Sequence, residues 1–250
     1  MSGLLLAGDV YLDRYDETGN PTGLIGPLNA TQLQVNTPSE AKDRESKRKE
    51  SYGQALDGVT LSKATEVTVV FDDQPAEMLA MALMAEMQSV SQGAGSVTDT
   101  LITLPKGNRW VTLPHENLAE VGLAAKLAVD DSPVAPAALE VNYADGLIRT
   151  VPGGALETDT ITDIKLSYDY AAINKTHIKG GIQPRIRARM ILKGKNLVSG
   201  KPVNGEWPEV SLAPTQAVDL FASDYVSTTL AGKAILRAGE TAPFYLDQHK

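Results

Sequence analysis

Residues 185–192 read Arg-Ile-Arg-Ala-Arg-Met-Ile-Leu, so that basic and apolar side chains alternate along the stretch. Successive side chains of a β-strand point to opposite faces, and an alternation of period two therefore indicates a strand with one buried face. The arginines Arg185, Arg187 and Arg189 are expected to form a basic stripe on one face. We predict that this stripe pairs with carboxylates on a neighbouring strand or on a second subunit.

The same alternation recurs along the chain, at residues 67–71, 139–143 and 164–170. Turn-forming sequences rich in glycine, asparagine and proline occur at residues 18–21, 57–58, 144–146, 152–154 and 203–205. Short strands that are interrupted this often favour an antiparallel sheet over a parallel α/β sheet. We therefore predict a mainly β protein, an antiparallel β-sandwich or barrel, forming a single domain over residues 1–250.

One segment departs from the strand pattern and predicts a helix that flanks the sheet, over about residues 73–91. Acidic residues and a proline open it, as expected near the positive end of a helix. Four methionines follow at a spacing of three and sweep a wide arc of the helix surface: Met78, Met81, Met84 and Met87. Packing against the chain's own sheet is the preferred interpretation, and contact of part of the arc with a second subunit is the alternative.

A highly charged stretch lies between two strand-like runs. Nine of the eleven residues from 40 to 50 are charged. We predict a long polar loop over residues 36–58, because such a stretch cannot bury enough apolar surface to order itself in an isolated domain. It is either a mobile solvated loop or an assembly element that orders against a partner. The candidate contact residues are Glu40, Lys42, Asp43, Arg44, Glu45, Lys47, Arg48, Lys49 and Glu50.

Composition restricts the possible functions. The chain carries 31 acidic and 23 basic residues, for a formal net charge of −8. That balance argues against a main role in gripping nucleic acid or an anionic membrane, since both tasks need a dense basic surface. The chain has no cysteine and 3 histidines, so we predict no metal site and no cofactor. We also expect no secretory signal and no membrane insertion by this chain.

The sequence contains no convincing catalytic motif, and we therefore predict that the protein is not an enzyme. The glycine pattern at residues 93–95 follows a predicted helix, whereas a dinucleotide-binding loop precedes one. His115 and Glu116 supply a base and a carboxylate, but adjacent residues point opposite ways in a strand. A two-carboxylate glycosidase stays open on the sequence alone, although an aromatic content of 5% is low for a sugar-binding cleft.

The order of these features resembles the major tail tube protein of long-tailed, siphovirus-like bacteriophages. One of the segments on which this resemblance rests is Val-Thr-Val-Val-Phe-Asp-Asp, residues 67–73, which runs directly into the methionine-rich helix. The other segments that carry the likeness are residues 8–12, 26–28, 33–35, 110–118, 141–148, 191–203, 222–225 and 230–236. The resemblance covers most of the chain and lies in layout rather than in one diagnostic motif.

The resemblance implies a structural virion protein that is made in the cytoplasm of a host bacterium and located in the viral tail. Six copies would form a ring, and stacked rings would form a tube that conducts double-stranded DNA from capsid to host. The implied partners are other copies of the chain, the tape-measure protein, the tail terminator and the distal tail or initiator proteins. In such families a long loop, placed as residues 36–58 are, contacts the adjacent subunit or ring.

Two other functions remain open. The first is a monomeric β-sandwich that acts as a binding or decoration module, for which the low aromatic content is unfavourable. The second is the tube protein of a contractile tail or of a secretion system, which would share the fold.

The acidic net charge is compatible with the tube that the resemblance implies. An acidic tube wall would let DNA slide, because it offers no basic contacts that release counterions and retard passage.

Overall fold

The fold is built almost entirely from antiparallel β-strands, which confirms the prediction of a mainly β protein. A computed structural model describes residues 3–105, 107–156 and 161–249. The first ten strands are β1 (Leu6–Tyr15), β2 (Pro21–Leu28), β3 (Ala30–Asn36), β4 (Ser39–Glu45), β5 (Ala55–Ser62), β6 (Glu66–Phe71), β7 (Glu86–Gln92), β8 (Gly95–Leu104), β9 (Val111–Thr112) and β10 (Ala124–Leu127).

The remaining elements follow in the second half of the chain, apart from the helix. The strands are β11 (Pro133–Val134), β12 (Leu139–Asn142), β13 (Leu147–Thr150), β14 (Thr162–Tyr170), β15 (Ile173–Lys179), β16 (Ile186–Asn196), β17 (Pro202–Pro214), β18 (Thr228–Ala234) and β19 (Tyr245–Gln248). The α-helix α1 (Ala76–Ala82) follows β6, and a 3₁₀ helix (Pro136–Ala138) precedes β12.

The chain divides into two compact units, whereas the sequence led us to expect a single domain. Unit 1 comprises the residues up to Gln88 together with those from Ile178 onward, and unit 2 comprises Ser89–His177. The chain leaves unit 1 within β7 and returns within β15, and these two strands pair with each other. The alternation of apolar and polar residues is the same in both units, so it does not reveal that two separate cores form.

Unit 1 is organised around a large antiparallel sheet with the strand order β2-β1-β16-β17-β18-β6-β3, in which β19 also pairs with β17. The predicted alternation on β16 is confirmed, because Ile186, Ala188 and Met190 are buried while the arginines between them are partly exposed. Helix α1 places Met78 and Met81 in the same apolar core.

Unit 2 contains a four-stranded sheet, β11-β10-β14-β8, and a three-stranded sheet, β12-β13-β9. Its core has the alternation predicted for β14, since Ile164, Leu166 and Tyr168 are buried. The turn predicted at residues 144–146 connects β12 and β13, as expected. In contrast, the turn sequences at residues 57–58 and 203–205 lie inside β5 and β17 and are not turns.

The helix is shorter than predicted, because it ends at Ala82 and residues 86–92 form strand β7 instead. The Ala85 N–H donates to the Ala80 carbonyl and the Met84 N–H to the Met81 carbonyl, with Met84 at a φ of 48°. This is the Schellman arrangement that ends many helices. The next carbonyls are held by tertiary contacts, since Leu83 accepts from the Gly181 N–H at 3.0 Å.

Candidate functional site

The predicted loop at residues 36–58 is corrected by the structure, in which β4 and β5 form an antiparallel hairpin. Cross-strand pairs run from Ser39 opposite Ser62 to Glu45 opposite Ala55. We call residues 39–62 the charged hairpin. A two-stranded ribbon with both faces in water forms its hydrogen bonds without a core, so the polar composition that predicted a loop did not exclude strands.

The charged candidates identified from the sequence all lie on this hairpin. Glu40, Lys42, Asp43, Arg44 and Glu45 belong to β4, and the basic run from residues 47 to 49 with Glu50 belongs to the connection. Ion pairs join Arg44 to Asp57, Lys63 to Glu40 and Lys47 to Glu45. Each pair is well exposed and therefore adds little to stability.

The tip of the charged hairpin, residues 46–54, is a folded loop. The Ser46 hydroxyl is 2.7 Å from the Ser51 hydroxyl, and Ser46 is fully buried. The Ser46 N–H donates to the Gln54 carbonyl at 2.7 Å, and the Gly53 N–H donates to the Ser46 carbonyl at 2.9 Å. These bonds hold the backbone while the basic side chains of residues 47–49 point into solvent.

Every residue of β4 and β5 is exposed, although the hairpin carries large apolar side chains. The exposed apolar residues are Tyr52, Leu56, Val59 and Leu61. Val59 lies opposite Lys42 and Leu61 opposite Glu40, so aliphatic and charged side chains share a face. The sequence identifies the charged residues but not this apolar component, although Val59 and Leu61 belong to one of the two strand-like runs that flank the charged stretch.

Two of the three arginines of the basic stripe, Arg187 and Arg189, pair with carboxylates on the neighbouring strand β17, which is the first of the two predicted alternatives. Arg187 contacts the carboxylate of Glu209 at 2.8 Å, and Arg189 contacts that of Glu206 at 2.5 Å. Arg185 precedes β16 and lies with Arg14 in the lining of a cavity of about 1000 Å³. Burial lowers the pKa of the Arg14 guanidinium, and the charge of Glu86 opposes that shift.

The two ion pairs of the stripe predict different effects on stability. The Glu209 side chain is 8% exposed, whereas that of Glu206 is 41% exposed. We expect Arg187→Ala to lower the free energy of unfolding by about 2 kcal/mol, because it leaves a buried carboxylate unpaired. Arg189→Ala, the matched control on the same strand, should cost less than about 1 kcal/mol. Urea denaturation measures both, and equal losses would contradict the prediction.

The methionines predicted to lie on one helix are spread over three environments. Met78 and Met81 are buried in the core of unit 1, so in this conformation neither presents a surface to a second subunit. Met84 is partly buried just after the helix, and Met87 lies on β7. A role for Met84 or Met87 at an interface therefore stays a prediction.

His115 and Glu116 both line a cavity of about 440 Å³ in unit 2, but each has a different partner. The His115 ring stacks on that of Tyr170 with centroids 3.8 Å apart, and its Nδ1 atom is 3.1 Å from the Tyr168 hydroxyl. Burial raises the pKa of Tyr168. Glu116 pairs with Lys175 at 2.6 Å. The two residues thus do not form a paired base and orienting carboxylate.

A second exposed apolar segment lies in unit 1 between β17 and β18. We call residues 215–227 the acidic loop, because Asp219 and Asp224 are its charged residues. Its large apolar side chains are nearly uncovered: Leu220 is 62% exposed, Phe221 98% and Tyr225 90%. Nothing in the local sequence pattern predicts this surface, although residues 222–225 are among the segments that carry the resemblance.

The part of the chain that the structure describes contains neither a cluster of possible metal ligands nor a membrane-spanning helix. Within it, no group of three or more histidine, aspartate or glutamate side chains is arranged to hold a metal ion. No helix among residues 3–105, 107–156 and 161–249 is long and apolar enough to cross a membrane.

Comparison with known families places the chain in one of them. A family model described as "Protein of unknown function UCP028589" matches residues 4–242. The chain therefore belongs to this family, and the match spans both units. No curated protein matches the chain.

Proposed function

We propose that this chain is a structural virion protein that polymerises as stacked rings, with six copies to a ring, into a bacteriophage tail tube. The tube would serve as a passive conduit for double-stranded DNA from capsid to host. The observation that carries the proposal is the charged hairpin, which leaves all residues of both its strands exposed together with four large apolar side chains.

An isolated two-stranded hairpin is at best marginally stable in water. The charged hairpin also exposes apolar surface that soluble monomers normally cover. A neighbouring copy that packs against the charged hairpin would stabilise it and would cover its apolar surface. The mixed charges of the hairpin would then provide register and specificity. Self-assembly thus gives a physical reason for an element that contributes nothing to either core.

The large sheet of unit 1 supports the same proposal. β2 and β3 are its outer strands, and within the described residues each is paired on one side only. β2 contains Pro21 and Pro27, which cannot donate to a ladder, whereas β3 contains no proline. Open strand edges are a liability in a monomer and become paired when subunits join into a ring.

The charge of the chain suits a conduit. A formal net charge of −8 favours a wall that repels phosphates, since basic contacts would release counterions and hold the DNA. On this proposal the protein is not an enzyme, and its partners are further copies and the tape-measure, terminator and initiator proteins. Its location would be the virion tail, after synthesis in the host cytoplasm.

The test is negative-stain electron microscopy of the purified chain over a concentration series, beside a variant with a shortened hairpin. In the variant, an Asn-Gly turn joins Ala41 directly to Thr60, which lie opposite each other in the hairpin. We expect rings or tubes from the intact chain and none from the variant. Unchanged thermal unfolding of the variant serves as the control for folding.

Any other result of this experiment would contradict a different part of the proposal. Tubes from both proteins would keep the conduit and remove the hairpin from assembly. Monomers of the intact chain at every concentration, including after addition of a tail initiator complex, would contradict the proposal and favour a monomeric binding or decoration module. The tube of a contractile tail or secretion system would give the same images, and a surrounding sheath in the native particle would distinguish it.

A further inference from the structure

We propose that the tip of the charged hairpin of one copy, residues 46–54, docks on the acidic loop, residues 215–227, of the next copy. This inference rests on the self-assembly proposed above and names the two surfaces that meet. Both surfaces belong to unit 1, and neither contributes to its core.

The large apolar side chains of the acidic loop are mostly exposed, and a second copy could bury them. Phe221 and Tyr225 are 98% and 90% exposed, and Leu220 between β17 and β18 is 62% exposed. Large apolar side chains that are close in sequence and nearly uncovered are typical of interaction surfaces in soluble proteins. The tip offers a matching apolar group in Tyr52, which is 71% exposed.

The charges of the two surfaces are opposite. The tip carries three basic residues, Lys47, Arg48 and Lys49, beside one acidic residue, Glu50. The acidic loop carries Asp219 and Asp224 and no basic residue. Docking therefore places a net positive surface on a net negative one, which favours correct encounter and register.

These charges are available for a partner. Asp219 accepts a bond from the Phe221 N–H at 3.0 Å, and Asp224 accepts one from its neighbour Tyr225 at 2.7 Å. Among the described residues, no lysine or arginine forms an ion pair with either carboxylate. Lys47 has an exposed pair with Glu45, 3.7 Å long, and its Nζ atom lies 5.3 Å from the centre of the Tyr52 ring, so both of its contacts are within the charged hairpin.

A contact between two different surfaces of identical copies is heterologous. Each copy then offers one tip and one loop, and head-to-tail contacts close into a ring when the rotation between copies permits. This arrangement makes a strong prediction about mixtures of variants, because a change in the tip is complemented only by a change in the loop of another copy.

The test uses two charge-reversed forms of the full chain. The tip variant is K47E/R48E/K49E and the loop variant is D219K/D224K. Alone, each places like charges in every contact, and we expect the concentration needed for assembly to rise at least about tenfold. An equimolar mixture should assemble as the wild type does, since the reversed tip meets the reversed loop and the native tip meets the native loop.

The control is E17K/D247K, which changes net charge as the loop variant does at exposed positions elsewhere in unit 1. It should assemble normally, and all variants should unfold at the wild-type temperature. Wild-type rings with normal assembly of either single variant, or failure of the mixture, would overturn the docking and leave the proposed tube intact. Absence of wild-type rings at every concentration, including after addition of a tail initiator complex, would overturn both proposals.

Discussion

Gly232→Ala is expected to unfold the large sheet of unit 1. Gly232 lies on β18 opposite Leu212 of β17. A methyl group at this position would overlap the carbonyl oxygen of Ser211 and approach the backbone of Leu212. The obstacle is main chain rather than a flexible side chain, so it yields only if the two strands separate.

We expect Gly232→Ala to lower the free energy of unfolding by more than about 4 kcal/mol, which is a large part of the total stability of a typical domain. Gly93→Ala is the matched control, because a methyl group there meets no atom within 4 Å. Circular dichroism with thermal unfolding measures both variants. A Gly232→Ala protein that melts within a few degrees of the wild type would contradict the close approach of β17 and β18.

Phe71→Ala is the second change with a large expected effect. Phe71 ends β6, is fully buried, and belongs to the apolar core that contains Met78, Met81 and Leu230. Removal of a buried phenyl ring loses its transfer free energy and leaves a cavity that its neighbours fill only in part. We expect the free energy of unfolding to fall by about 3–5 kcal/mol.

Phe221→Ala makes the same chemical change at a residue that is 98% exposed. Its effect on stability should stay within about 0.5 kcal/mol, because there is little burial to lose. Denaturation in urea compares the two variants directly. Similar losses at both positions would mean that Phe221 is covered within the monomer, and this result would also argue against its availability to a second copy.

The strands with one buried face could be predicted from the sequence. On β6, β14 and β16 the alternation identified both the element and its buried residues, such as Val69, Leu166 and Met190. This works because a single buried face imposes a period of two on the residues themselves. The arginines of β16 were placed on the opposite face for the same reason.

The charged hairpin and the end of the helix could not be predicted in this way. β4 and β5 have no buried face, so burial leaves no period in their sequence and charge dominates it. Residues 83–87, Leu-Met-Ala-Glu-Met, favour helix locally, but the carbonyls of Leu83 and Met84 accept hydrogen bonds from the N–H groups of residues 181–183. Contacts between residues far apart in the chain override local preference there.

The sequence by itself determined the mainly β class, the faces of the core strands and the concentration of charge near residue 45, because these follow from local periodicity and composition. Only the tertiary structure decided that two cores form and that Arg187 forms an ion pair with Glu209 rather than with a second subunit. It also decided that the charged stretch is a hairpin whose apolar side chains are exposed. These outcomes depend on which distant strands pair, and pairing is set by packing of the whole chain rather than by any single segment.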